Sequence, residues 1–163
     1  MRWTLPFLFA VQAAAIAWIA LTADHLPARV ACHFVTNGVA DGWEDRQRYC
    51  TVIIAAIAGA PLLLAGVGVL CHLLPPRLLN LPNRDHWMAP ERARASRATL
   101  AGAVTALGIP VALIVAGIHA TVMDANTRQP PMLDTHAAFA VIIVGVALEM
   151  ALTGWLLWRF RRP

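Results

Sequence analysis

The sequence predicts an all-α membrane protein, a four-transmembrane-helix bundle with both termini cytoplasmic and a folded outer loop between the first and second helices. Three observations predict it. Four apolar stretches, 5–23, 51–74, 100–123 and 136–160, are nearly free of charge, and about 20 apolar residues are enough for a helix to cross the hydrocarbon core. The segments joining them alternate in arginine content. Finally, of 163 residues 59% are hydrophobic and only 13% charged, which leaves no room beside four spans for a soluble domain of ordinary size. The chain is therefore expected to be one membrane domain, 1–163.

All 13 basic residues are arginine. With the N-terminus placed inside, the inner segments carry Arg2, Arg77, Arg84, Arg92, Arg94, Arg97, Arg159, Arg161 and Arg162, and the outer segments only Arg29, Arg46, Arg48 and Arg128. The excess of basic residues on the cytoplasmic side sets the orientation. A net charge of +4 is thus explained by topology, and no direct nucleic-acid binding is expected.

The first span, 5–23, follows a basic start but is longer than the apolar core of a signal peptide, so it reads as an uncleaved anchor. Trp3, Trp155 and Trp158 fall near the inner boundary, where aromatic rings prefer the headgroup level. Gln12 is the polar residue at its middle. The outer loop, 24–50, then concentrates polar residues: His33 with Asp41, His25 and Asp24 offers imidazole and carboxylate groups that suit zinc, but the spacing fits no zinc pattern and Asp41-Gly42 equally reads as a turn, so no metal is assigned. Cys32 and Cys50 share this loop, where a disulfide is permitted; Cys71, in the second span, reads as a packing residue.

The inner loop, 75–99, divides at Pro90. Pro75, Pro76, Pro82 and Pro90 exclude a continuous helix through its first part, whereas Pro90-Glu91-Arg92 opens a helix with an acid at the positive end of the dipole. Arg92, Arg94 and Arg97 reach the level of anionic headgroups, as a stop-transfer anchor or a lipid or partner docking site. After the third span, Pro130-Pro131 breaks the chain before the fourth restarts.

Glu149 is the one acid deep inside a span. Thirteen residues from the start of 136–160, at ~1.5 Å per residue, it lies about 20 Å below the outer end. A carboxyl there faces the bundle, carries a proton or has a partner. Gln12 is at a comparable depth, so a contact between Gln12 and Glu149 is expected. Pro61 and Pro110 share that level and each frees a carbonyl four residues earlier; the layer is either a buried interhelical hydrogen bond or a transport site. His72 and His119 sit near opposite ends of their spans, no pattern calls for a cofactor such as haem, and no catalytic residue is identified.

Two stretches acquire meaning together. Outside, Leu26-Pro27 precedes His33-Phe34, Asn37-Gly38 and then Asp41-Gly42-Trp43. Inside, Asn80-x-Pro82 is followed by Trp87-x-x-Pro90-Glu91-Arg92. Both resemble the signature of the domain of unknown function (DUF) 1648 family, bacterial integral membrane proteins that include an immunity protein against a sporulation-delaying toxin. The resemblance covers the chain from the end of the first span to the start of the third. It implies a multi-pass protein of the bacterial plasma (inner) membrane.

The expected function is a non-enzymatic binding or regulatory, immunity-like membrane protein. Ligand or partner binding is expected at His33, Asn37, Asp41 and Trp43 outside, and partner or lipid docking at Asn80, Pro82, Trp87, Glu91 and Arg92 inside. The alternatives are an accessory subunit of a larger membrane complex and a small transporter using Glu149. Expected partners are the lipid bilayer and either another protein or a second copy, through the spans or the inner loop.

Overall fold

The computed structural model describes residues 3–161, so Arg2 and Arg162 lie outside the described residues. In chain order it contains α1 (Thr4–Thr22), a 3-10 turn (Ala23–His25), β1 (Arg29–Phe34), β2 (Ala40–Asp45) and α2 (Arg46–Leu73). A second 3-10 turn (Pro76–Leu78), α3 (Arg84–Trp87), α4 (Pro90–Ala106), α5 (Gly108–Ala125) and α6 (Thr135–Arg161) complete it. Four helical segments are long and apolar enough to cross a membrane: Thr4–His25, Arg46–Leu73, Pro90–Ala125 and Thr135–Arg161.

Two features depart from the sequence expectation. The loop between α1 and α2, expected only to be folded, is an antiparallel hairpin, β1 against β2, with Arg29 opposite Asp45 and Phe34 opposite Ala40. Its turn is set by Gly38, whose φ of +84° suits a residue without a Cβ; the Val35 carbonyl accepts the Gly38 N–H at 2.8 Å. The second departure is at the ends of the spans. α2 begins at Arg46, because Asp45 caps it by accepting the Gln47 N–H at 2.9 Å. The third segment begins at Pro90 and runs 36 residues, about 54 Å at 1.5 Å per residue, so its first turns project beyond a hydrocarbon core of ~30 Å.

The two intramembrane prolines behave differently. Pro110 coincides with a break: the helix stops at Ala106 and restarts at Gly108, with Leu107 between. α2 passes through Pro61 without interruption. The packing there is close, since a Cβ on Gly108 would come within 3.0 Å of the Pro61 Cβ and 3.3 Å of Leu8 Cδ1. α1, α2 and α5 therefore meet at one point near mid-span. Helix α2 is the centre of the bundle, packing on α1, α4 and α5, whereas α6 packs chiefly on α5 and α4. Much of α6 is accordingly exposed, including Phe139, Ile143, Val144, Met150 and Trp158, as suits a helix facing lipid.

Two small cores close the ends. Beneath the hairpin, Leu26, Val30, Tyr49 and Val122 are buried together, with Cys32, Phe34 and Cys50 packed on them. At the opposite end, Cys71, Leu79, Trp87, Leu100, Ala101 and Phe160 form the second. These are called below the hairpin end and the loop end.

Candidate functional site

The hairpin is held by one side chain that the sequence did not single out. Asn126, just past α5, accepts the Ala31 N–H on Oδ1 at 2.9 Å and donates from Nδ2 to the Ala31 carbonyl at 2.9 Å. It thereby replaces a missing neighbouring strand at the edge of β1, and a further bond to the Val122 carbonyl, 2.8 Å, fixes it to its own helix. The Leu133 N–H donates to the Gly38 carbonyl at 2.8 Å, and Val39 bridges Met132. Asp24 pairs with Arg46 at 2.8 Å. A sequence reader takes Asn126 for an ordinary helix end; only the approach of β1 gives it this role.

What the hairpin presents is exposed. His33 Nδ1 meets Asp41 Oδ1 at 2.5 Å, with both side chains open to solvent. Trp43, Val35, Val39 and Met132 are exposed beside them. Asn37 accepts the Val39 N–H at 3.1 Å and so serves the turn itself. The structure thus brings His33 and Asp41 into direct contact, keeps Trp43 on the same hairpin, and gives Asn37 a turn-forming task. Burial, and next the Glu44 carboxylate, push the Cys32 thiol up from its ordinary range. Cys32 and Cys50 are free thiols, and among the described residues no group of three or more His, Cys, Asp or Glu side chains is placed to hold a metal.

The motif between α2 and α4 folds onto its own chain. Trp87 is buried, donates from Nε1 to the Phe160 carbonyl at 2.8 Å and stands edge-on to the Phe160 ring, 5.5 Å between centroids. Arg159 covers its other side, with the guanidinium carbon 4.5 Å from the ring centre. Asn83, in the left-handed region at φ 50°, donates to the Arg161 carbonyl at 2.8 Å. The last carbonyls of α6, which no helical N–H can reach, are thereby satisfied by the loop. Arg97 does the same for α2, its Nη1 donating to the carbonyls of Cys71 and Leu74, both at 2.7 Å. Trp87 and Arg97 are consequently not free surface groups for a partner or lipid, which corrects the docking expectation for Trp87. Asn80, Glu91 and Arg92 remain exposed and Pro82 is half-buried; the Arg92 guanidinium donates to the His86 carbonyl at 3.4 Å.

No family model, curated protein or solved structure matches the chain.

Within the membrane the expected contact between Gln12 and Glu149 is not formed. Gln12 is buried on the inward face of α1 with Leu8 and Ile19, and its Nε2 donates to the Ile57 and Ala58 carbonyls at 2.8 and 3.0 Å. The Ile57 carbonyl is the one left free by the absent N–H of Pro61, four residues on. A polar side chain from α1 has thus replaced the missing bond of α2, which explains why that helix stays continuous. α6 is not a main neighbour of α1, so Glu149 cannot compete for Gln12. Near the hairpin end, His119 is fully buried, its Nδ1 3.0 Å from the Tyr49 hydroxyl and its ring edge-on to Trp18 at 5.1 Å. This trio ties α1, α2 and α5 together. It was not legible in the sequence because Tyr49 lies on a helix predicted to start after it.

Proposed function

We propose that this chain is a non-enzymatic, multi-pass binding protein of the bacterial plasma membrane whose hairpin meets an extracytoplasmic ligand or partner. One observation carries the reading: the hairpin is bolted to the helix ends through Asn126 and the core around Tyr49, yet it holds the His33–Asp41 pair and Trp43 out in solvent. A rigid support under exposed polar and aromatic groups is what a recognition surface needs, because little ordering entropy is lost on binding. The likeness of both loops to the DUF 1648 family supports the membrane and the immunity-like regulatory role. The nine-to-four arginine division supports the placement of both termini in the cytoplasm and the hairpin outside. The inner motif is a clamp on the α2 and α6 ends, leaving Asn80, Glu91 and Arg92 for cytoplasmic contacts.

The test is site-specific photo-crosslinking in the native membrane from position 43, compared with lipid-facing position 52. A discrete protein or peptide adduct at 43 alone, lost in His33→Ala and Asp41→Ala chains that still insert, is the expected result. Identical patterns at 43 and 52 overturn the reading.

A further inference from the structure

Glu149 stands apart from everything above. It lies on the packed side of α6, on the stripe formed by Ala138, Val141, Gly145, Leu152, Leu156 and Phe160, and its Oε1 is enclosed without a hydrogen-bond partner among the described residues. The register of α6 on α5 locates its level: Gly117 meets Val141 and Ile114 meets Gly145, while Ala103 and Ala106 share a groove with Leu152. Antiparallel continuation sets Glu149 opposite the helix break between Ala106 and Pro110.

Among the described residues no charge faces it there. On α5 the titratable groups are His119 and Asp124, both toward the hairpin end; on α4 they are Glu91, Arg92, Arg94 and Arg97, all in the first turns at the loop end. α6 itself offers His136 at one end and Arg159 and Arg161 at the other. A carboxyl held in hydrocarbon without a counter-ion takes a proton as its partner.

The surroundings are unequal along the helix. Toward the loop end a groove of about 330 Å³ runs between the start of α1, α4 and α6, and its lining includes Thr4 and Thr99. It ends one turn from Glu149, at Ala106 and Leu152. Toward the hairpin end, the groove of about 360 Å³ between α5 and α6 is walled only by aliphatic side chains and glycine. We infer that Glu149 is a proton-binding site inside the membrane that exchanges with water through the groove at the loop end and is closed to water from the hairpin end. This is an intramembrane activity additional to recognition by the hairpin, and it does not depend on that reading.

The experiment uses the full chain in lipid nanodiscs and dicyclohexylcarbodiimide, an apolar reagent that reacts with the protonated carboxyl. The acid O–H adds across a C=N bond, oxygen to the central carbon and the proton to nitrogen, and acyl shift to nitrogen leaves a stable adduct of one whole reagent mass. A peptide containing Glu149 is expected to gain that mass, increasingly as the pH is lowered from 9 to 5, and Glu149→Gln is expected to abolish it. A water-soluble carbodiimide with an amine should label the exposed acids and spare Glu149. Labelling that is absent, or constant with pH, overturns proton exchange; equal labelling by the water-soluble reagent overturns the site's intramembrane character. For the route, Ala106→Cys should react with a charged methanethiosulfonate and Val144→Cys should not. An inert Ala106→Cys, or equal reaction at both positions, overturns the one-sided access.

Discussion

Gln12 offers the most direct test of how this bundle is held. Gln12→Leu keeps the bulk of the side chain and removes the amide that serves the Ile57 carbonyl at 2.8 Å. Interhelical hydrogen bonds in membranes average ~0.6 kcal/mol and reach ~1.7, while a buried acceptor left unpaired costs about 1–3 kcal/mol. The Ile57 carbonyl has no helical donor to fall back on, because residue 61 is proline. Loss of about 1–2 kcal/mol is therefore expected, moderated by removal of the Gln12 Oε1, which itself lacks a partner among the described residues. The decisive comparison is with Pro61→Ala, which restores an N–H to the ladder and keeps the Cβ that packs against Gly108. In that background Gln12→Leu should cost less than ~0.5 kcal/mol, a coupling outside the additive range. Unfolding in mixed micelles of rising dodecyl sulfate content, followed by circular dichroism on all four chains of the cycle, provides the numbers. Equal costs in the two backgrounds would refute the assignment of Gln12 to the proline-freed carbonyl.

Other outcomes follow from single contacts. Asn126→Ala removes the two bonds to Ala31 and should cost about 1–3 kcal/mol, read as faster amide exchange at Ala31 and its β2 neighbours while the helices stay protected. Trp87→Phe loses the bond to the Phe160 carbonyl and should cost ~0.5–1.5 kcal/mol, visible as earlier proteolysis in 84–89 and at the end of α6. Gly38→Ala combines a φ of +84° with a Cβ that would collide with the Leu133 carbonyl, and should disorder the turn more than Asn37→Ala does, as judged by hairpin amide exchange. Asp134 accepts the Ala137 N–H at 3.0 Å, and this bond holds its carboxyl below its ordinary range. A depressed acid contributes its stability above the unfolded-state value and loses it as pH falls through the folded one; the first turn of α6 should fray on acidification in the native chain, and Asp134→Ala should remove that pH dependence.

The sequence by itself determined the spans, because the length and apolarity of a crossing are set by the bilayer and not by neighbouring helices. It also located the two loops that hold the His33–Asp41 pair and Trp87. Pro90 as a helix start was legible, since proline acts on its own backbone; that Pro61 and Pro110 each free a carbonyl was legible too, but not that only the second would interrupt its helix. What the sequence could not supply was pairing. The hairpin was hidden because Ala40–Asp45 is mostly polar and short, and its strand character comes from pairing with β1, which Asn126 holds at Ala31. Trp87 read as a surface group on its residue type, yet the unsatisfied carbonyls at the end of α6 drew it inward from 73 positions away. Gln12 and Glu149 share a depth, and depth was all the sequence could measure. Which helices are neighbours decided the rest: α1 lies against α2, where Pro61 had opened a carbonyl, and α6 lies against α5 and α4, where Glu149 Oε1 finds no hydrogen-bond partner among the described residues.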